Sequence, residues 1–218
     1  LKFLDLGFAP PSNDYLSGAD LNMPEVTYPL RVLTCTACWL VQTEDYAAHD
    51  ALFREDYAYF SSTSKGWLAH AERYCTQMTK RLGLNETSFV VELASNDGYL
   101  LKNFVASGIP CLGVEPTRST AEAAEALGVP VLQEFFGADL GRKLAKTGPK
   151  ADLILGNNVY AHVPDINDFT RGVAELLADE GVDPRDFRCR ELPRVASPGR
   201  RRGVLEPVRD LEVAWQEG

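Results

Sequence analysis

The sequence predicts an α/β protein in which a parallel sheet is preceded by a small α+β module, and three observations carry this prediction. Between residues 87 and 182, short apolar runs alternate with amphipathic stretches of helical periodicity. This is the pattern of successive right-handed β-α-β units. Residues 1–86 are instead rich in Pro, Tyr and turn-forming residues. Residues 183–218 are rich in Arg and Pro and follow neither pattern. We therefore divide the chain into three regions at these boundaries.

The middle region is predicted to alternate strictly between strands and helices. The strands are expected over residues 88–93, 111–115, 129–132 and 151–156. The helices are expected over residues 99–107, 119–127, 140–145 and 166–177. Since parallel neighbours in a sheet need a crossover connection, usually a helix, this alternation predicts one parallel sheet. A buried fifth strand is not expected after residue 182, because Asp183-Pro184-Arg185-Asp186 does not suit one.

The first region contains a predicted hairpin with two cysteines at its turn. A strand over residues 28–34 leads into Cys35-x-x-Cys38, a return strand is expected over 39–42, and a helix follows over 64–82. The chain has five Cys, an odd number, and only Cys35 and Cys38 are close in sequence. A C-x-x-C pair without a secretory signal favours metal or redox chemistry over a disulfide framework.

The charge balance excludes several classes of function. The formal net charge is −9 and the pI is about 4.9, so a basic surface that coats nucleic acid is not expected. No apolar run approaches the ~18 residues of a membrane-spanning helix, and the N-terminal residues show no signal-peptide pattern. The sequence thus predicts a cytoplasmic protein without nucleic-acid or membrane partners, as a monomer or weak homo-oligomer.

The third region differs abruptly in composition from the rest. Eight of the 15 Arg lie in residues 182–218, whereas all seven Lys lie before them. Two interpretations are open for this irregular tail: a divergent C-terminal extension, or translation of a GC-rich coding region in a shifted reading frame. The coding sequence around residue 182 would distinguish them. In both cases we expect an incomplete sheet with an uncovered apolar edge, and therefore marginal stability.

The loop after the first strand of the sheet carries the strongest functional motif. It runs from Glu92 to Gly98 and consists of small or turn-forming residues, so that its backbone can approach a ligand closely. Glu115 ends the next strand, 23 positions after Glu92. In nucleotide-binding α/β folds, a carboxylate at that place accepts hydrogen bonds from ribose hydroxyls. Neither G-x-G-x-x-G nor the P-loop motif occurs. An ordinary strand-to-helix turn beside a surface carboxylate is the alternative interpretation.

This arrangement resembles the S-adenosylmethionine site of class I methyltransferases. Five segments are similar, more specifically, to the sugar-nucleotide C-methyltransferases of deoxysugar pathways: residues 28–38, 57–64, 91–100, 113–116 and 157–163. The Ser-Asn-Asp-Gly-Tyr loop and the Asn-Asn-x-x-Ala-His-Val segment are the most specific parts of the resemblance, which covers residues 1–182.

The resemblance implies a zinc-ribbon-like N-terminal module and an incomplete Rossmann-like class I methyltransferase domain. It also implies S-adenosylmethionine as methyl donor, a dTDP-linked 4-keto deoxysugar as acceptor, and a place in antibiotic biosynthesis. The family carries its base on a His beyond the fifth strand, and no such segment follows here. We therefore expect a chain that is truncated at both ends and catalytically impaired. The alternatives are a non-catalytic module that binds S-adenosylmethionine or a nucleotide sugar, and a nucleotide-dependent oxidoreductase.

The resemblance also assigns roles to individual residues. The donor would be bound by residues at the strand ends and in the loops after them: Glu92, Ser95, Asn96, Asp97, Gly98, Glu115, Pro116, Glu134, Phe135, Phe136, Asn157 and Asn158. Tyr59 and His162 are the candidate catalytic residues. The acceptor would contact an aromatic, hydroxyl-rich segment: Tyr57, Tyr59, Phe60, Ser61, Ser62 and Ser64. Cys35 and Cys38 would supply half of a zinc site, whose other cysteine pair the family carries upstream.

Each assignment has a structural alternative. The two Asn after the fourth strand could serve the turn, and the Phe pair after the third strand could belong to the core. The segment 57–64 could be a Tyr-rich packing surface between domains, and His162 could cap a helix.

Overall fold

The computed structural model describes residues 1–44, 46, 53 and 59–178. The predicted substrate residue Tyr57 and the whole predicted tail, residues 183–218, lie outside the described residues.

The N-terminal region forms a three-stranded antiparallel sheet. Its strands are β1 (Lys2–Ala9), β2 (Tyr28–Thr34) and β3 (Val41–Thr43), in the order β1-β2-β3. The sequence analysis did not predict β1, whose pairing with β2 is interrupted by two register shifts. The return strand begins two residues later than predicted, because Trp39 lies in the turn with a left-handed φ of 64°.

The predicted helix before the parallel sheet is present as α1 (Lys65–Leu82). Ser64 caps its start, since the Ser64 hydroxyl accepts a hydrogen bond from the Trp67 amide at 3.3 Å. Gly83, in the left-handed conformation, closes its end. The buried face of α1 packs in one hydrophobic cluster with Val90 and Phe104, so this helix contributes to the core of the parallel sheet.

The middle region forms the predicted parallel sheet, which confirms the α/β fold. Its strands are β4 (Val90–Leu93), β5 (Cys111–Val114), β6 (Val131–Leu132) and β7 (Leu153–Leu155). Their spatial order is β6-β5-β4-β7, and every pairing is parallel. After β4, the chain therefore adds β5 and β6 on one side of β4 and then crosses over to add β7 on the other side. Ligands of open α/β sheets bind at such a reversal, beyond the carboxyl ends of the strands.

The helices that connect and follow these strands lie close to their predicted positions. They are α2 (Lys102–Ala106), α3 (Arg118–Ala126), α4 (Ala138–Thr147) and α5 (Ile166–Leu176). Helix α2 starts three residues later than predicted. The preceding residues form a tighter turn, in which the Phe104 amide donates to the Leu101 carbonyl at 2.9 Å.

Two hydrophobic clusters cover the two faces of the sheet. Val90 points into a cluster with α1 and α2, whereas the next residue, Val91, points into a cluster with α5. This alternation is the two-residue period of a strand that is buried on both faces. Among the described residues, no helix is both long and apolar enough to cross a lipid bilayer.

Candidate functional site

A cavity of about 810 Å³ opens at the carboxyl ends of the parallel strands. Most of the predicted site residues contribute to its wall: Tyr59, Ser61, Asn96, Glu115, Pro116, Glu134, Phe135, Phe136, Asn157, Asn158 and His162. The N-terminal region contributes Asn13 and Phe53 as well. The cavity is therefore walled by two parts of the chain that are distant in sequence.

The loop between β4 and α2 turns sharply beneath this cavity. Ala94, Asn96 and Gly98 have left-handed φ values of 53°, 51° and 73°. A non-glycine residue in this conformation costs about 1–3 kcal/mol, although Asn tolerates it better than Ala. A Cβ on Gly98 would stand 3.0 Å from the Ala124 Cβ, so close packing also requires glycine there. The loop is strained at the place where the sequence predicted a ligand.

Glu115 ties this loop to the end of β5. One oxygen of its buried carboxylate accepts a hydrogen bond from the Asn96 amide, and the other accepts one from the Thr117 amide, both at 2.9 Å. Each carboxylate oxygen has a second lone pair, and Glu115 contributes to the cavity wall. The side chain can therefore accept hydrogen bonds from a ligand without releasing the loop.

Glu92 lies fully buried on β4 and is not part of the cavity wall. Its Oε1 accepts a hydrogen bond from the Asn157 side-chain amide at 3.3 Å, whereas its Oε2 has no partner in the described structure. Burial raises the pKa of Glu92 well above the ordinary carboxyl value, the Asn157 hydrogen bond opposes this, and the negative charges of Glu115 and Asp97 add to it. Burial therefore makes the Glu92 carboxyl harder to ionise than an ordinary carboxyl group.

Ser95 and Asp97 are also buried in the loop rather than exposed to the cavity. The Ser95 hydroxyl and the Asp97 Oδ1 have no hydrogen-bond partner in the described structure. The other Asp97 oxygen accepts a hydrogen bond from the Ser62 amide at 3.0 Å. Buried polar atoms are normally paired, so the three unpaired atoms on Glu92, Ser95 and Asp97 set this loop apart from the rest of the described structure.

The segment after β6 forms an aromatic wall. Phe135 is partly exposed on the cavity, whereas Phe136 also packs edge-to-face on Phe169, with ring centroids 5.2 Å apart. Glu134 accepts a hydrogen bond from the Lys143 ammonium at 3.3 Å. Both Phe rings therefore line the cavity, and the Phe136 ring is shared with the core.

The segment after β7 also lines the cavity. Asn157 connects the cavity to the buried Glu92, and Asn158 has a left-handed φ of 53°. His162 ends a short 3-10 turn and contacts Phe53 edge-on, with ring centroids 6.3 Å apart. His162 lies on the cavity wall with both Asn residues.

The predicted acceptor segment is held against the loop by side-chain hydrogen bonds. Tyr59 and Ser61 line the cavity, whereas Phe60, Ser62 and Ser64 do not. Ser64 serves instead as the cap of α1. The structure therefore brings only part of this segment to the cavity.

Asn13, Trp67 and Tyr99 are among the wall residues that were not predicted as site residues. Asn13 belongs to a Pro- and Asn-rich stretch that signalled only a turn, and the structure gives it a left-handed φ of 60°. Trp67 and Tyr99 stand in helical apolar patterns that indicated core, and their rings lie 5.9 Å apart at the cavity. The only sequence signal for Asn13 was its place in a cluster of turn-forming residues, and this cluster lies in the N-terminal region rather than in the parallel-sheet region.

The cysteine pair lies at the turn between β2 and β3. Backbone amides of Cys38 and Ala37 donate to the Cys35 sulfur and lower the pKa of its thiol. A structural zinc ion takes four ligands. Within the described part of the chain, no group of three or more His, Cys, Asp or Glu side chains could hold a metal. The described residues therefore provide two ligands and do not form a complete zinc site.

The comparisons with known proteins agree with the predicted resemblance. Residues 1–53 match the family described as "Putative zinc binding domain". The chain is 32% identical over 182 residues to the C-methyltransferase NovU of Streptomyces niveus, over 84% of this chain and 43% of that protein. The predicted resemblance to C-methyltransferases is confirmed. This chain spans less than half the length of that relative.

Solved structures resemble the chain more loosely. The YcgJ protein from Bacillus subtilis is 20% identical, with a TM-score of 0.42 over 52% of this chain and 48% of that chain. An S-adenosylmethionine-dependent methyltransferase from Clostridium acetobutylicum is 17% identical, with a TM-score of 0.42 over 61% of this chain and 52% of that chain.

Proposed function

We propose that this chain binds S-adenosylmethionine in the cavity and takes part in C-methylation of a dTDP-linked 4-keto deoxysugar. The observation that carries the proposal is Glu115, a buried carboxylate that lies at the carboxyl end of β5 and faces a cavity of about 810 Å³. The identity to a C-methyltransferase over 182 residues supports the same reaction class.

The cavity residues suit the separate parts of the donor. Glu115 would accept hydrogen bonds from the ribose hydroxyls, and the exposed face of Phe135 would contact the adenine. The amides of Asn157 and Asn158 would hold the methionine part. The buried Glu92, which accepts a hydrogen bond from Asn157 and has an unpaired second oxygen, would favour the positive charge of the methionine part. When bound, S-adenosylmethionine supplies an electrophilic methyl group.

The remaining wall suits a sugar acceptor. Carbon methylation next to a ketone requires removal of a proton from that carbon and a hydrogen-bond donor for the keto oxygen. The imidazole of His162 could take the proton, and the phenol of Tyr59 could donate to the oxygen, because both side chains lie on the wall of one cavity. Ser61 offers a further hydroxyl to the nucleotide sugar.

Calorimetry with S-adenosylmethionine tests donor binding. We expect Glu115→Gln to bind about tenfold or more weakly, since hydrogen bonds to a charged group contribute about 1.5–3 kcal/mol. The matched control is Glu125→Gln, an exposed carboxylate on α3 that is not part of the cavity wall. Circular dichroism verifies that each variant is folded. A natural chain that does not bind the donor would contradict the proposal.

A non-catalytic module that holds the donor or the nucleotide sugar is the second candidate. It is favoured by the described wall, in which His162 is the only imidazole. Transfer of a labelled methyl group to dTDP-4-keto-6-deoxyglucose separates the two candidates. Donor binding with product formation supports the enzyme, and donor binding without product supports the module.

Zinc is proposed as a structural ion of the N-terminal region. The match of residues 1–53 to a zinc-binding family supports it, and so does the hydrogen-bonded Cys35 sulfur. Cys35 and Cys38 would then need two further ligands from outside the described residues.

A further inference from the structure

We propose that Asn96 is a positioning residue, which couples donor binding to the order of the acceptor wall. This inference rests on the proposed function, because the donor and acceptor sites are those proposed above. In this view Asn96 does not bind the donor itself but joins the loop that holds it to the segment that carries Tyr59.

The side chain of Asn96 is bonded to the backbone of that segment at both ends. Its Oδ1 accepts a hydrogen bond from the Ser61 amide at 2.8 Å, and its Nδ2 donates to the Tyr59 carbonyl at 2.9 Å. The neighbouring Asp97 accepts a further bond from the Ser62 amide at 3.0 Å. Thus one amide group satisfies a donor and an acceptor that flank Phe60 on the main chain.

The backbone of Asn96 is bonded to the opposite side of the site. Its amide donates to Glu115 Oε2 at 2.9 Å, and Glu115 is the carboxylate proposed to receive the ribose. The left-handed φ of 51° directs the amide and the side chain of one residue to these two partners. Asn96 therefore joins the donor carboxylate to the acceptor wall within one residue, by its backbone amide on Glu115 and its side chain on Ser61 and Tyr59.

This connection has a functional consequence for Tyr59. The Tyr59 side chain is about half exposed, yet it lies on the cavity wall, so its own packing fixes it weakly. The Asn96 amide holds the Tyr59 carbonyl and thereby the backbone that carries the phenol. A ligand that engages Glu115 would make the Asn96 position more rigid, and the segment 59–62 would become more ordered with it.

Asn96→Gly is the decisive variant, because glycine keeps the left-handed backbone and removes only the side chain. Asn158→Gly is the matched control: Asn158 has nearly the same φ, 53°, and lies on the same cavity wall. In the described structure Asn158 makes no hydrogen bond to the segment 59–62, so the control makes the same type of change without touching that segment. Amide hydrogen exchange of Ser61 is measured by NMR in each protein, with and without S-adenosylmethionine.

We expect exchange at Ser61 to be about fivefold or more faster in Asn96→Gly, since a net hydrogen bond contributes about 1 kcal/mol. In the donor-free measurement, the control should leave this rate unchanged. Asn96→Asp should be intermediate, because it keeps the acceptor for Ser61 but loses the donor to Tyr59. In the natural protein S-adenosylmethionine should slow the exchange further, and in Asn96→Gly this slowing should vanish although the donor still binds.

The outcomes separate the two proposals. An unchanged Ser61 exchange rate in donor-free Asn96→Gly would overturn the positioning role, whether or not the donor binds. Faster exchange that still responds fully to the donor would overturn the coupling and leave a purely structural bond. Absence of donor binding in the natural chain would instead refute the proposed function.

Discussion

The two sheets of this protein differ in how they are stabilised. In the parallel sheet, β4 and β7 are buried along their whole length, with helices packed on both faces. In the antiparallel sheet, β1 and β3 are largely exposed, and none of the described residues before Ala71 is buried. The parallel sheet thus has a hydrophobic core, whereas the described part of the N-terminal sheet has none.

The N-terminal sheet also has ion pairs between its side chains, but these contribute little to stability. Its ion pairs join Arg31 to Asp5 at 3.7 Å and to Glu44 at 3.3 Å, and all three side chains are substantially exposed. Exposed pairs contribute about 0–1 kcal/mol. The difference indicates that the site is built mainly on the parallel sheet, whose strand ends and loops supply most of its wall and whose core is buried.

The largest expected effect comes from a pair of Phe substitutions, one in each region. Phe104 is 0% exposed and Phe8 is 67% exposed. Phe104→Ala should lower the free energy of unfolding by about 3–5 kcal/mol, because it empties a packed core position. Phe8→Ala should change it by about 0.5 kcal/mol or less. Urea denaturation measures both, and equal losses would contradict the comparison.

A pair of glycines gives a smaller contrast of the same kind. Gly98 and Gly7 have similar left-handed φ values, 73° and 78°. A Cβ at Gly98 would crowd Ala124 and Val129, whereas one at Gly7 would meet nothing within 4 Å. Gly7→Ala should cost about 1–2 kcal/mol from backbone conformation alone. Gly98→Ala should cost about 1–3 kcal/mol more, because overpacking is added. Thermal unfolding measures the stability of both variants, and equal losses in the two would show that packing is not involved.

The smallest effect is a dependence of stability on pH, with opposite signs in the two regions. The pKa of Glu92 is raised by burial, so the native state holds its proton more tightly than the unfolded state. The contribution of Glu92 to the free energy of unfolding therefore falls as the pH rises from the ordinary carboxyl pKa to the raised pKa. The pKa of Asp5 is lowered, mainly by the Gly7 amide and Lys2, so its contribution is lost as the pH falls below the ordinary carboxyl value.

Glu92→Gln should remove the first dependence, because glutamine resembles the neutral acid and does not titrate. Denaturation midpoints between weakly acidic and neutral pH should then decline less with pH than in the natural protein. Asp5→Asn should leave that slope unchanged and should alter only the acidic limb. If the denaturation midpoint of Glu92→Gln depended on pH as steeply as that of the natural protein, another titrating group would be responsible for this dependence.

The elements of the parallel sheet were predictable because each one has a local signal. Apolar runs marked β4, β5 and β7, and the alternation with helices required a parallel arrangement. Strand β1 was missed because its apolar side chains are exposed and its pairing is irregular. No local pattern distinguishes such a strand from an extended loop.

Within the site, the loop from Glu92 to Gly98 and the carboxylate at Glu115 could be predicted as candidates from the sequence alone, because both follow from position at a strand end. Only the tertiary structure decided what each side chain does there. Glu92 lies beneath the cavity, Ser64 caps a helix, and Asn96 reaches 35 residues back to Ser61. The physical reason is that a hydrogen bond across the fold depends on where two chain segments meet, and neither segment alone contains that information.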